Sequence, residues 1–299
     1  RYFLALMIKI LGGEHRLMQL SNMLIYLVAL LTFLGVARDS LSRNHFTWIA
    51  AFLILSLPYA ANNILDGLSD WLAVTLFFFF VSLIYSSVGL GGGSSYTAIL
   101  SLTSISYKYI PSISLTLNLV VSFFGMLNFW RSGHGKLKLI LPFLIFSMPI
   151  AYFSGSIVVS EYLFQLILLF TLILIVIRIY FINDLRFSFK LSKIQTWCFI
   201  IFSGSFLGFI AGTIGIGGGI YLIPLIIMFG LGTPKEAATA GATFVLLNSF
   251  IGLVARSRIF SFDMGFILPM VLSVMAGGAI GSYYGSTRYK PDTINKVMG

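Results

Sequence analysis

Charged residues are scarce in this chain of 299 residues: only 9% are Asp, Glu, Lys or Arg, whereas 58% are apolar. An ordinary soluble domain carries roughly a quarter charged residues, so this composition cannot cover a water-facing surface, and the surrounding solvent is predicted to be lipid. In lipid each spanning segment must satisfy its own backbone hydrogen bonds. Because the apolar runs are long and lack the alternation of β-strands, they are predicted to be helices.

Cysteine is nearly absent as well. The single Cys198 lies in an apolar run, which excludes an internal disulfide or a cysteine metal cluster, and it is predicted to serve packing. Acidic residues and histidines fall at predicted helix ends or in loops, so the sequence suggests no proton relay, metal site, cofactor or catalytic cluster. An enzyme is therefore the least favoured class of function.

Basic residues are in excess, with a net charge of +10, yet they lie mainly in short loops between apolar runs. This is the positive-inside pattern of a multi-pass protein of the bacterial inner membrane type rather than a nucleic-acid site. The loops at 131–138, 186–193 and 288–296 are predicted to be cytoplasmic. Arg256 and Arg258 are then predicted on the outer side, against the rule.

Two of the apolar runs are unusually short, 94–105 and 218–231, and each directly follows a glycine cluster, Gly89–Gly93 or Gly215–Gly219. The other runs are long enough to span a bilayer or nearly so. They lie at 19–37, 46–65, 71–88, 112–130, 138–159, 161–182, 196–214, 237–255 and 263–285.

The two glycine clusters belong to an internal repeat. An offset of 126 places GLGGG on GIGGG, and an offset of 127 places Ser122–Gly125 on Ser249–Gly252. Because an odd number of apolar segments separates the clusters, the second half is predicted to be inserted upside down. The predicted fold is an all-α, polytopic membrane protein with two inverted repeats, each containing a short helix broken by glycine.

Three regions follow from this alignment: an N-terminal extension with two transmembrane helices at 1–70, a first transporter repeat at 71–195 and a second at 196–299. The counterpart of the helix at 161–182 would begin near Thr293, so a C-terminal helix is expected beyond the sequence. Both ends are expected to be incomplete, because the chain begins at Arg1 without a methionine.

The glycine clusters also carry the predicted chemistry. Each glycine costs about 1 kcal/mol relative to alanine within a helix, so three in succession break it and expose backbone amides. Irregular backbone at membrane depth is tolerated where it is buried in protein or lines a cavity. A short helix that starts at such a break presents free N–H groups and a positive dipole end, which favour an anion.

The predicted anion contacts are these exposed amides and the polar side chains near them or on the helices that follow. They are Gly91, Gly92, Gly93, Ser94, Ser95, Asn118, Ser122, Thr213, Gly217, Gly218, Gly219, Thr239 and Thr243. Two alternatives stay open: the clustered glycines also fit helix-packing motifs, and the polar side chains could bond between helices. Packing is favoured for two spaced sets, Gly204, Gly208 and Gly212, and Gly277, Gly281 and Gly285.

One long segment resembles a known family. GIGGGIYLIPLIIMFGLGTPKEAATAGATFVLLNSFIGLVARSRIF is similar to the signature of the sulfite exporter TauE/SafE family of membrane permeases. The matching features are a glycine cluster, an apolar stretch with Pro224, the step from Pro234 to Ala237, and a small-residue helix. The first half resembles it through GLGGGSSYTAIL and Pro111–Asn118, so the resemblance covers roughly 76–299.

The resemblance implies a permease that transports small sulfur-containing anions, such as sulfite or sulfonates, across the cytoplasmic membrane, with export as the expected direction. Its implied partners are the anion and the lipid bilayer. The alternative is a scaffold or accessory subunit that transports nothing. The halves differ, because the polar Ser94–Thr97 stands where the second half has Ile220–Ile223, so selectivity is expected to lie in the first half.

Overall fold

The computed structural model describes residues 68–103, 105–181, 192–257 and 264–289, and within these ranges all regular structure is α-helical. The predicted helical class is therefore confirmed, while the runs predicted at 19–37 and 46–65 lie outside the described residues. The helices are α1 Leu68–Ser87, α2 Gly93–Leu100, α3 Ile110–Arg131, α4 Leu137–Gly155, α5 Glu161–Phe181, α6 Lys193–Ile214, α7 Gly219–Met228, α8 Pro234–Arg256 and α9 Met264–Thr287.

The longer helices have the dimensions of membrane spans. Helices α3, α4, α6, α8 and most of α9 are long and apolar enough to cross a bilayer. Large apolar side chains on their outer faces, such as Phe153 and Phe202, are exposed. Cys198 is exposed on α6 as well, so its predicted packing role is wrong: in lipid, apolar character does not distinguish the interior from the surface.

Helices α2 and α7 are the short helices predicted after the glycine clusters. Each begins after a glycine in the left-handed region, Gly92 at φ 85° and Gly218 at φ 77°. Side chains are disfavoured in this region, which is why glycine is needed at the turn. With 8 and 10 residues, neither helix can span a bilayer.

Helices α3 and α8, which correspond under the 127-residue offset, pack against each other in opposite directions. Near the start of α3, Leu115 lies against Gly252, and further along it Gly125 lies against Ala242. Around this pair, α1 packs on α9 and α4 packs on α6, while α9 also contacts α3 and α4 contacts α8. Each of these contacts thus has a counterpart between the corresponding helices of the two repeats.

The two outer pairs are held close by the spaced glycines, as predicted. Gly204, Gly208 and Gly212 of α6 lie against the backbone of α4, and Gly277, Gly281 and Gly285 of α9 lie against that of α1. At nearly all of these sites a Cβ atom would collide with a carbonyl or a serine. Every one of these glycines comes from the second repeat, and α1 has Ser82 and Ser86 where α6 has Gly208 and Gly212.

Candidate functional site

The two glycine breaks meet at one small buried cavity. It has room for about one water molecule. The glycine breaks, the first turns of α2 and α7, and single residues of α1 and α8 supply its walls. These residues are Tyr85, Leu90, Gly91, Gly92, Gly93, Ser94, Ile216, Gly219, Ile220 and Val245. All of these residues are buried.

Free backbone amides from both breaks surround this cavity. The first hydrogen bonds into α2 are donated by the amides of Ser95 and Tyr96, both to the Gly92 carbonyl. The amides of Gly91 to Ser94 therefore donate to no carbonyl of the described chain. In α7 the first such donors are Tyr221 and Leu222, so the amides of Gly219 and Ile220 likewise donate to no carbonyl among the described residues. Two positive helix ends thus share one space.

Among the described residues, the polar side chains that line the cavity come from the first repeat alone. Ser94 is 2% exposed, and its Oγ has no hydrogen-bond partner among the described residues. Ser95 does not line the cavity; its Oγ donates to the Tyr85 hydroxyl at 3.1 Å. Tyr85, which does line it, was missed in the sequence because an aromatic residue within an apolar run suggests core packing.

Asn118 lies between the two breaks. Its Nδ2 donates to the Gly215 carbonyl at 2.9 Å, while its Oδ1 has no partner among the described side chains and backbone and lies beside Gly91 and Gly93. Val245, the corresponding residue of α8, contacts Gly91, Gly217 and Gly219. Asn118 therefore ties the breaks together from behind the cavity wall.

The remaining predicted residues do not line the cavity. Gly217 and Gly218 form the left-handed turn before α7. The hydroxyls of four residues donate to carbonyls of their own helices: Ser122 to Asn118, Thr213 to Phe209, Thr239 to Lys235 and Thr243 to Thr239. Thr243 also accepts a hydrogen bond from Trp130 Nε1 at 3.0 Å, so this residue bonds between helices.

Arg256 is not in an exposed outer loop. It lies in the last turn of α8, is 4% exposed, and its Nη2 donates to the carbonyls of Gly212 and Thr213 at 2.9 and 2.8 Å. These are orphan carbonyls at the end of α6, so the arginine caps that helix. An arginine that is buried in this way is not a loop residue, so the positive-inside rule does not apply to it.

The opposite end of α8 carries an ion pair between the repeats. Lys136 Nζ lies 2.6 Å from Glu236 Oε1, and Lys235 Nζ donates to the Ser286 carbonyl at the end of α9. His134, in the neighbouring turn, has a pKa below its ordinary value because partial burial and nearby Lys235 disfavour the charged form, which Glu236 only partly offsets. The α3–α4 turn, the start of α8 and the end of α9 thus lie together.

Comparison with known proteins agrees with a membrane transporter. A family model described as Sulfite exporter TauE/SafE matches residues 74–299. A probable membrane transporter protein of Sinorhizobium fredii is 31% identical over 222 residues, 73% of this chain and 89% of that protein. Another, from Methanocaldococcus jannaschii, is 29% identical over 216 residues, covering 66% and 78% of the two chains. No solved structure matches.

Proposed function

The chain belongs to the sulfite exporter TauE/SafE family and is a multi-pass membrane transporter, and from this premise we propose that it moves small sulfur-containing oxyanions across the cell membrane. One observation carries the proposal: free amides at the starts of α2 and α7 surround a single buried cavity. Such amides, at the positive ends of two helices, favour an anion.

The walls of the cavity are consistent with this substrate class. Of the described residues, neither a carboxylate nor a basic side chain lines it, so no negative side chain there repels an anion and the donors are neutral groups. The unpartnered Ser94 hydroxyl adds a donor on one side, and Ile216, Ile220 and Val245 form an apolar wall on the other. This combination suits an oxyanion whose sulfur carries a small substituent or none.

The mechanism we propose is alternating access between two inverted repeats, 71–195 and 196–299. The antiparallel packing of α3 and α8 supports the inversion, since these helices correspond in sequence. A cavity with room for about one water molecule is smaller than any sulfur oxyanion. The described conformation is therefore closed, and the repeats must separate at one end to admit the anion.

We propose export as the direction. An inside-negative potential drives each negative charge outward by about 2.3 kcal/mol per 100 mV, so an anion exporter needs no coupled ion. Right-side-out and inside-out vesicles loaded with labelled sulfite separate the directions. Net uptake against the potential into right-side-out vesicles would contradict export while leaving the substrate class intact.

The central experiment is transport by the purified protein in proteoliposomes. Sulfite, thiosulfate, methanesulfonate and a longer alkanesulfonate form the panel, with phosphate and chloride as comparison anions. We expect transport of at least one sulfur oxyanion and an increase in thermal stability when that anion is added. A scaffold without transport would show neither effect with any member of the panel, and that outcome would overturn the proposal.

A further inference from the structure

Arg256 is a buried cation without a carboxylate partner among the described residues. Its side chain is 4% exposed, and its Nε and Nη2 donate to the carbonyls of Gly212 and Thr213 at 2.8–3.3 Å. Both acceptors are neutral groups. The ion pair in the part of the chain that the structure describes joins Lys136 and Glu236, at the other end of α8. A full positive charge therefore lies inside the protein with no acidic side chain beside it.

The capping of α6 explains the hydrogen bonds of Arg256 but not its charge. Neutral donors can satisfy the orphan carbonyls at a helix end equally well. The C-terminal end of a helix is equivalent to roughly half a negative charge, so the end of α6 offsets only part of the guanidinium. Because an uncompensated buried charge is strongly destabilising, the remaining positive charge favours a negative partner from outside the chain.

The guanidinium lies close to the second glycine break. Thr213, which accepts its shortest hydrogen bond, is three residues before Ile216, and Ile216 lines the anion cavity. Three residues span at most about 11 Å even when fully extended. At a separation of about 12 Å and an effective dielectric constant of about 20, two unit charges interact strongly enough to change an affinity about tenfold. The charge can therefore act on an anion in the cavity although Arg256 does not line it.

The first repeat has no equivalent of this buried charge. Under the 127-residue offset the counterpart of Arg256 in α3 is Phe129, which is fully buried and apolar. The first break carries instead the Ser94 hydroxyl, which lacks a partner among the described residues. The two halves thus differ in what they offer an anion, since the first supplies a neutral side-chain donor and the second a net positive charge.

We propose that Arg256 is the fixed counter-charge of the transported anion and makes the site prefer divalent to monovalent oxyanions. This inference rests on the proposed function, because it concerns the anion in that cavity. Coulomb attraction is proportional to the charge of the anion, so Arg256 raises the affinity about tenfold for a monovalent anion and about a hundredfold for a divalent one. Arg256 is thus a specificity-determining residue that acts through its charge, without touching the anion.

The test compares a divalent with a monovalent sulfur oxyanion in proteoliposomes at low ionic strength. Thiosulfate and methanesulfonate serve as the pair, and an anion that is not itself transported is measured as a competitor of one that is. Arg256→Gln removes the charge but keeps a hydrogen-bond donor. We expect its KM to rise about tenfold for methanesulfonate and about a hundredfold for thiosulfate, so the ratio of the two values changes about tenfold.

Two control variants separate the charge from the cap and from the net charge of the protein. Arg256→Lys keeps a cation at the same place and should keep the wild-type ratio of the two KM values. Lys138→Gln removes an exposed cation in the first turn of α4, where solvent and salt screen its charge, and should also leave the ratio unchanged. A shift of equal size in Lys138→Gln would contradict a special role of Arg256.

The outcomes keep this inference and the permease function apart. If both KM values rise by the same factor in Arg256→Gln, or neither rises, Arg256 only caps α6, and the inference is overturned while the permease function stands. Arg256→Met, which fills the same space without charge, is the second neutral variant. If neither neutral variant folds while Arg256→Lys does, the fold itself needs the charge, which also overturns the inference. A wild type that binds no oxyanion overturns both proposals.

Discussion

Single residues distinguish the two breaks, although the backbone turns are similar. Gly92 and Gly218 both precede a short helix in the left-handed conformation. The residues that follow differ: Ser94 brings a free hydroxyl to the cavity, whereas Ile220 brings an apolar wall. In the proposed site, the backbone amides are the general anion donors, and the side chains of the first repeat are the groups that would orient the bound anion.

Substituting the glycine before either short helix should abolish transport. In Gly92→Val or Gly218→Val a branched side chain is forced into the left-handed region and against Tyr96 or Phe244, respectively, at a cost of about 1–3 kcal/mol. Gly133→Val is the control, because Gly133 has φ 80° but open space around it. Oxyanion uptake into proteoliposomes, with membrane insertion checked separately, measures the effect. Transport retained by both break variants would contradict the site.

Exchanging residues between the repeats should separate their roles in binding. Ser94→Ile removes a hydroxyl donor to a charged ligand, a loss of about 1.5–3 kcal/mol, or roughly a tenfold to hundredfold rise in KM. Ile220→Ser adds a hydroxyl at the corresponding position of α7, and we expect this variant still to bind the oxyanion. The concentration dependence of uptake gives KM for both variants. Equal KM in the wild type and Ser94→Ile would show that the first break does not orient the anion.

His134 should make stability dependent on pH. Its pKa is lower in the folded protein than in the unfolded chain, so the unfolded chain takes up the proton more readily and stability falls as the pH drops through about 6.5. His134→Gln should be less sensitive over the same range. Thermal unfolding of both proteins between about pH 8 and 5 compares them. Parallel curves would exclude His134 as a source of the dependence.

Helices pack in this protein by the close approach of their backbones. The glycines of α6 and α9 let carbonyls of α4 and α1 come near, which replaces the hydrophobic driving force that is absent between helices in lipid. Helix α8 is held at both ends, by Lys136 at its start and by the bonds of Arg256 at its end. Helix α8 therefore has a side-chain contact to a neighbouring element at each end.

A side chain introduced into the α4–α6 contact should destabilise the whole bundle. In Gly208→Val the new Cβ meets the Ser147 backbone, and overpacking of this kind costs typically about 1–3 kcal/mol. Phe202→Leu, on the exposed face of the same helix, serves as the control and should be nearly neutral. Melting temperatures in detergent compare them, and equal values for Gly208→Val and the wild type would refute tight packing.

If the repeats are inverted, the C-terminal ends of α3 and α8 should lie on opposite sides of the membrane. In a Cys198→Ser background, Lys138→Cys in the first turn of α4, which follows the end of α3, should react with an impermeant thiol reagent only from the cytoplasmic side. Ser257→Cys just after α8 should react only from the outside. Labelling of intact cells and of inside-out vesicles makes the comparison. Reaction of both cysteines from one side would contradict inversion.

Much of this arrangement could be predicted from the sequence, because few backbone structures can satisfy their own hydrogen bonds in lipid. Composition predicted helices, and adjacent glycines predicted both short helices, since three in a row cannot continue a helix. Tyr85, Arg256 and Cys198 could not be placed correctly. Their roles depend on which face of a helix meets a neighbour, and in a chain apolar on every side the sequence pattern contains little of that information.

All the spaced glycines lie in the second repeat, and this determines how the two halves of the chain could assemble as separate fragments. Two copies of the first repeat would oppose serine to serine, where even one added Cβ collides; two copies of the second would oppose glycine to glycine and leave a gap. Only unlike halves fit. If the gene were cut between α5 and α6, the fragments should therefore reassemble as a heterodimer, and neither fragment should form a stable partner for itself.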